Sequence, residues 1–161
     1  MHKVLRSIPV LSVAVLSACA SAPAPNSSAS ASTQACAQIT EQKVASFFDR
    51  WNASLATGNP HKVVTNYAPN SILLPTVSNK PRLTAGEKEE YFEHFLVNGP
   101  VGKIDQRFVK LGCNVALDAG LYTFSFSKTG ASVKARYSYT YEYIGGQWLI
   151  TSHHSSAMPE K

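Results

Sequence analysis

Cysteine is scarce in this chain, with three residues among 161. Short metal-ligand patterns are absent too. No H-x-H, H-E-x-x-H or C-x-x-C occurs, so no single stretch brings its own ligand set. Charge is sparse, at 16% of residues, and only 10 side chains are acidic. Few of those acids fall on apolar faces, which leaves little carboxylate for acid–base work in an apolar pocket. The net charge of +5 is mild and the basic residues form no run, so the footprint of a nucleic-acid binder is missing. No internal repeat is visible. One apolar run stands out, Ile8 to Leu16, and it is too short to span a bilayer as a stable anchor.

That run belongs to residues 1–18, which read as a secretory signal with Lys3 and Arg6 at its positive end. Leu16-Ser17-Ala18-Cys19 resembles the bacterial lipobox, in which the cysteine becomes the lipidated first residue. The alternative is an ordinary cleavage site beside an incidental cysteine. Ala20 stands where an Asp would suggest inner-membrane retention. Residues 19–35 are rich in Ser, Ala and Pro and read as a flexible tether. Residues 36–161 are one domain's worth of chain. The expected location is the bacterial envelope, periplasmic and lipid-anchored, with the membrane touched only through Cys19. Removal of residues 1–18 takes away two basic residues and no acid, leaving +3. With Cys19 assigned to lipid, Cys36 and Cys113 remain, and an oxidising compartment favours a bond between them. Two separate buried thiols are the alternative. The bridge would pin the start of the first helix to a strand.

Val44, Phe47, Phe48, Trp51 and Leu55 recur at helical spacing, with Thr40 as N-cap and Gly58 as stop. Asn59-Pro60 restarts a helix, Asn as cap and Pro at the first position, with Val63, Val64 and Tyr67 as its buried face. Pro69-Asn70 reads as a turn, and Ser71 to Val77 as a strand that Pro75 confines to an edge or bulge. Thr84-Ala85-Gly86-Glu87 is a capping box opening a helix with Tyr91, Phe92, Phe95 and Leu96 on one side; Asn98-Gly99-Pro100 closes it. Ile104 to Ala116 reads as a strand and Asp118-Ala119-Gly120 as a turn. Leu121 to Lys128 follows, with Tyr122, Phe124 and Phe126 on one face, and Thr129-Gly130 turns the chain again. Ala131 to Ile144 sets Ala135, Tyr137, Tyr139, Tyr141 and Tyr143 against Lys134, Arg136, Ser138, Thr140 and Glu142. Gly145-Gly146 is a hairpin signal before the last strand. The order α-α-β-α-β-β-β-β predicts an α+β domain, one curved antiparallel sheet wrapped over its helices.

The last strand carries chemistry: His153-His154-Ser155-Ser156, stopped by Pro159. Strand alternation pairs His153 with Ser155 on one face and His154 with Ser156 on the other. The two histidines share a pocket only if a bulge intervenes.

The element order, the Leu-Ala-Thr-Gly-Asn-Pro end of the first helix and the Gly-Gly-Gln-Trp-Leu-Ile strand resemble the nuclear transport factor 2-like, or SnoaL-like, cone fold. Three motifs narrow the resemblance: Leu74-Pro75-Thr76-Val77-Ser78-Asn79, Ala135-Arg136-Tyr137-Ser138-Tyr139, and His153-His154-Ser155-Ser156-Ala157-Met158-Pro159. Together they resemble bacterial proteins related to the association domain of calcium/calmodulin-dependent protein kinase II, and within that set the iota-class carbonic anhydrases. The resemblance implies a pocket for carbon dioxide or bicarbonate in the mouth of the cone. Its lining would be Thr76, Tyr91, one of His153 and His154, and Ser155 or Ser156. Arg136 is a further candidate, as a fixed cation for an anion.

In this reading the hydroxyls position carbon dioxide and water, and the histidine takes or relays the proton. Zinc is disfavoured as a cofactor. The ligand supply after residue 18 is His61, His94, His153 and His154, and the last two diverge on their strand. Two rivals stand beside the enzyme. One is a non-catalytic assembly or binding module using the tyrosine row as an interface; the other is an isomerase or hydrolase with a deep pocket for a larger organic ligand. A homodimer through the sheet is expected under the enzyme reading as well.

Overall fold

The computed structural model describes residues 35–159. The residues read as a signal, Cys19 and nearly all of the expected tether lie outside the described residues.

Helix α1 (Glu41–Leu55) starts where the Thr40 side chain accepts a hydrogen bond from the Lys43 N–H. Its stripe of Val44, Phe47, Phe48, Trp51 and Leu55 is buried along the whole helix. Each such side chain contributes about 1.5–3 kcal/mol relative to exposure. Helix α2 (Pro60–Val64) is capped by Asn59, with Pro60 in its first turn. Tyr67 is not on that helix. Strand β1 (Tyr67–Leu74) begins there, and Pro69-Asn70 lies in an irregular stretch of it rather than in a turn. The capping box of α3 (Ala85–Leu96) forms in both directions between Thr84 and Glu87. Phe92 and Leu96 are buried, with Tyr91 and Phe95 packed against the same core.

Four long strands follow: β2 (Pro100–Gly112), β3 (Val115–Phe126), β4 (Ser132–Ile144) and β5 (Gln147–Ala157). The sheet order is β1-β5-β4-β3-β2, with β1 parallel to β5 and the rest antiparallel. Pro75 therefore follows an edge strand, where its missing N–H costs no ladder bond. The sheet's inner face and the α1 stripe make one aromatic core. Phe48 lies 6.4 Å from Tyr122 and 6.3 Å from Tyr139, centroid to centroid, and Trp51 lies 6.2 Å from Phe124. Among the described residues no helix is long and apolar enough to cross a membrane.

Three further expectations are corrected. Asp118-Ala119-Gly120 sits inside β3; the chain turns at Cys113-Asn114, where Asn114 takes a positive φ of 58°. Gly120 is there for close approach. A Cβ on it would stand 2.0 Å from the Gln106 carbonyl oxygen, beside the irregularity between Ile104 and Gln106 in β2. Asp118 is fully buried, accepting from Tyr137 Oη at 2.8 Å and from Arg107 Nε at 3.2 Å. The Cys36–Cys113 disulfide is present, but it ties the entry of α1 to the β2–β3 turn, not to a strand. The tyrosine row is not an interface either. Tyr137, Tyr139 and Tyr141 are packed inward against the helices, and Tyr143 alone of the row is exposed.

Candidate active site in the mouth of the cone

Strand register decides which of the C-terminal side chains meet. Thr140 pairs with Ser152 and Tyr141 with Ile150, so Thr151 is an extra residue in β5. This bulge shifts the alternation, and both Ile150 and His153 face inward. It lies before the two histidines and does not bring them together. His153 is paired with Tyr139 and Ser155 with Tyr137, both buried; His154 is exposed. The inward pair is therefore His153 and Ser155.

These two line a cavity of about 60 Å³ between the sheet and α3. Thr76, in the turn after β1, and Tyr91 on α3 line it too. The other walls are apolar, including Leu73, Phe92, Phe124 and Ala135. Ser155 Oγ is the hub. It accepts from Tyr122 Oη at 2.5 Å and hydrogen-bonds Thr76 Oγ1. His153 Nδ1 lies 2.8 Å from Tyr67 Oη, which receives the Trp51 Nε1–H at 3.1 Å. His153 Nε2 and Tyr139 Oη are buried with no partner among the described residues.

Burial sets the protonation states. It lowers the His153 pKa to about 3, with His154 adding to the shift, so the imidazole is neutral near neutral pH. It pushes Tyr91 up to about 12 and Tyr122 higher still, and both phenols keep their protons. The expected part of His153 as proton acceptor does not fit an imidazole this hard to charge.

A wider space of about 310 Å³ adjoins the first and shares Val77, Tyr91, Phe95 and Phe126 with it. Arg82 and His94 line this outer space. The Arg82 guanidinium stands 5.9 Å from the Tyr91 ring centroid and is held by Glu90 at 2.9 Å, while its Nε is buried with no partner among the described residues.

Of the residues expected from the sequence, Thr76, Tyr91, His153 and Ser155 come together. Arg136, His154 and Ser156 do not. Arg136 is cross-strand from Ser156, and His154 from Ser138, on the opposite face of the sheet. Alternation along β4 turns Arg136 away from the side its neighbours Ala135 and Tyr137 bury. The sequence reading missed Tyr122, Tyr67, Trp51 and Arg82. The first three carry the period of ordinary core residues, and no local signal separates them from it.

Among the described residues His153 is the one imidazole on the inner cavity, and Cys36 and Cys113 are bonded to each other. Among the described residues no three His, Cys, Asp or Glu side chains gather as ligands.

The curved sheet over its helices is the nuclear transport factor 2-like fold. A protein of unknown function with that fold from Pseudomonas putida superposes with a TM-score of 0.67 at 16% identity, over 78% of this chain and 91% of that one. A protein described as a ketosteroid isomerase from Parabacteroides distasonis gives 0.60 at 14%, over 76% and 90%. Within this class the chain belongs to the calcium/calmodulin dependent protein kinase II association domain family, whose model matches residues 40–159. A crystal structure described as such an association domain, from Xanthomonas campestris, is 50% identical and has a TM-score of 0.72, over 79% of this chain and 96% of that one. None of the curated proteins matches the chain.

Proposed function

We propose that the chain is a carbonic anhydrase of the iota type that hydrates carbon dioxide with hydroxyl groups. The observation that carries this reading is the junction of Thr76, Ser155 and Tyr122 around one small apolar cavity, with Tyr91 and His153 beside it. A space of about 60 Å³ suits a triatomic molecule and a water. The isomerase-like rival is weaker because, among the described residues, no carboxylate lines this cavity or the wider space that adjoins it.

The chemistry follows from the protonation states. Water attacks the carbon of carbon dioxide while one of its protons passes to the Thr76–Ser155 hydroxyl pair. That pair hands its own proton to an oxygen of the same carbon dioxide. The product is carbonic acid, which leaves and releases its proton to solvent as bicarbonate. No side chain changes net charge, which fits a cavity whose imidazole resists protonation and whose phenols resist ionisation. The Tyr91 O–H donates to the oxygen that gains charge during attack. Arg82, beside Tyr91 on the outer space, favours the bicarbonate that forms once the neutral product has left the inner cavity.

The decisive assay is stopped-flow carbon dioxide hydration on chelator-treated protein, with metal counted on the same sample. Hydration that survives chelation and disappears in Thr76→Ala supports the mechanism. Absence of hydration in every state sinks it and leaves an assembly module.

Assembly itself has support of its own. The family is that of an association domain. The outer sheet face exposes Ile72, Leu74, Phe108 and Leu117. A homodimer through this face is our reading, and light scattering on the eluting peak checks it. A lipid on Cys19 would hold such a dimer at the bacterial envelope; labelled fatty acid incorporated in wild type and lost in Cys19→Ala is the matching test.

A further inference from the structure

The hydrogen-bond chain behind His153 has one arrangement that leaves the fewest of its members unpaired. The Trp51 indole N–H is a donor and nothing else. It points at Tyr67 Oη, 3.1 Å away, so the phenol oxygen accepts there. Tyr67 has one other partner among the described residues, His153 Nδ1 at 2.8 Å. If the Tyr67 O–H donates to Nδ1, the imidazole proton sits on Nε2. A single group, the Nε2–H, is then left without a protein partner. If Nδ1 carried the proton instead, the Tyr67 O–H would be buried with no acceptor and Nε2 would be bare as well. Two buried orphans are worse than one.

We infer that Trp51 and Tyr67 are positioning residues that lock His153 as a neutral Nε2–H hydrogen-bond donor on the cavity that holds carbon dioxide. This inference rests on the carbonic anhydrase reading and gives the imidazole in it a different part from the usual one. His153 donates to an oxygen of the reacting molecule and takes no proton from water. The surroundings agree on every side. Trp51 of α1, Tyr67 of β1, Tyr139 of β4 and Phe92 of α3 pack around the ring or around Tyr67, and none is a carboxylate that would favour an imidazolium. Tyr122 of β3 reaches the site through Ser155. Tyr139 stacks at 4.1 Å with its hydroxyl unpartnered, and His154, next along β5, faces the other way. The unpartnered Nε2 belongs to a cavity-lining ring only 4% exposed, so a ligand oxygen or a water is what remains to accept from it.

The test is long-range proton–nitrogen correlation of the imidazoles in the full chain labelled with nitrogen-15, from pH 5 to pH 8. His153→Gln identifies the signals by their loss. The expected result is the Nε2–H tautomer pattern for His153, unchanged across the range. An Nδ1–H pattern, or titration of His153 within the range, overturns the inference. In Tyr67→Phe the selector is gone, and the His153 pattern should move toward a mixture of tautomers with kcat falling more than KM rises. An unchanged tautomer in that variant removes Tyr67 from the argument. Should Tyr67→Phe fail to fold, the wild-type spectrum decides alone. The spectrum needs no turnover. The expected tautomer in a protein that hydrates no carbon dioxide would keep the lock and discard the carbonic anhydrase.

Discussion

Removing the Cys36–Cys113 bond is a perturbation whose size is readable in advance. The bond closes a loop with a sequence separation of 77. Loop-closure entropy for a loop of that length gives about 4.5 kcal/mol at 25 °C. The double variant Cys36→Ala/Cys113→Ala isolates that quantity well. Both cysteines are exposed, so truncating them opens no core cavity. The neighbouring hydrogen bond from the Ala37 N–H to Asn114 Oδ1, at 2.7 Å, involves neither sulfur. It keeps the entry of α1 near the β2–β3 turn once the bond is gone. Neither cysteine lines either cavity. Urea unfolding should therefore show a loss of about 3–5 kcal/mol with a steeper slope, because the unbridged unfolded chain exposes more surface, and reduced wild type should match the variant. For a domain of this size that is a fall in Tm of roughly 10–17 °C. Turnover well below the new Tm should be unchanged. A loss under about 1 kcal/mol, with the wild-type bond verified, would refute the loop-closure argument.

Other expectations concern the cavity and acid stability. Ser155→Ala leaves the Tyr122 hydroxyl without its acceptor; turnover should fall by about 10²–10³, and stability by about 1–3 kcal/mol. Ala135 is buried on the cavity wall, and Ala135→Leu should fill the space. Stability should move by less than about 1.5 kcal/mol while hydration drops to the buffer rate. His153 has a folded pKa depressed to about 3. Its contribution to stability is thus complete above the unfolded value near 6.5 and is lost progressively as pH falls from there toward 3. His153→Gln should flatten unfolding free energy against pH across that window. Glu87 is held down to about 2 by the N–H groups of Leu83 and Thr84 and by Lys80. Its share is present above 4.5 and lost as pH falls toward 2. Glu87→Gln should abolish that lower limb and leave the fold intact at neutral pH.

The elements were legible where local chemistry and tertiary packing agree. The α1 stripe, the Thr40, Asn59 and Thr84 caps and the Gly145-Gly146 turn stand where their residues predict. The disagreements have one cause, long-range approach overriding local propensity. Asp118-Ala119-Gly120 has turn chemistry, yet Gly120 serves the close passage of Gln106, and Asp118 serves Arg107 and Tyr137. Half of the site was visible as a motif on β5. Which half faces inward was not, because sheet registry, including the bulge at Thr151, sets that parity. Arg136 and Tyr137 are adjacent in sequence and point to opposite faces of β4, and the apolar face with Ala135, Tyr137, Tyr139 and Tyr141 is the one that meets the helices, which turns Arg136 away from the site. Tyr67 and Tyr122 look like core residues because their rings are core; only their hydroxyls work at the cavity.

The central claim is that Thr76, Ser155 and their neighbours hydrate carbon dioxide, and isotope exchange addresses it most directly. The measurement is the loss of oxygen-18 from labelled bicarbonate into water, catalysed by chelator-treated protein and followed by mass spectrometry. Accelerated loss in wild type, cut by about 10²–10³ in Ser155→Ala and by at least as much in Thr76→Ala, is the result predicted. No acceleration in wild type, or acceleration that both variants retain in full, would contradict it.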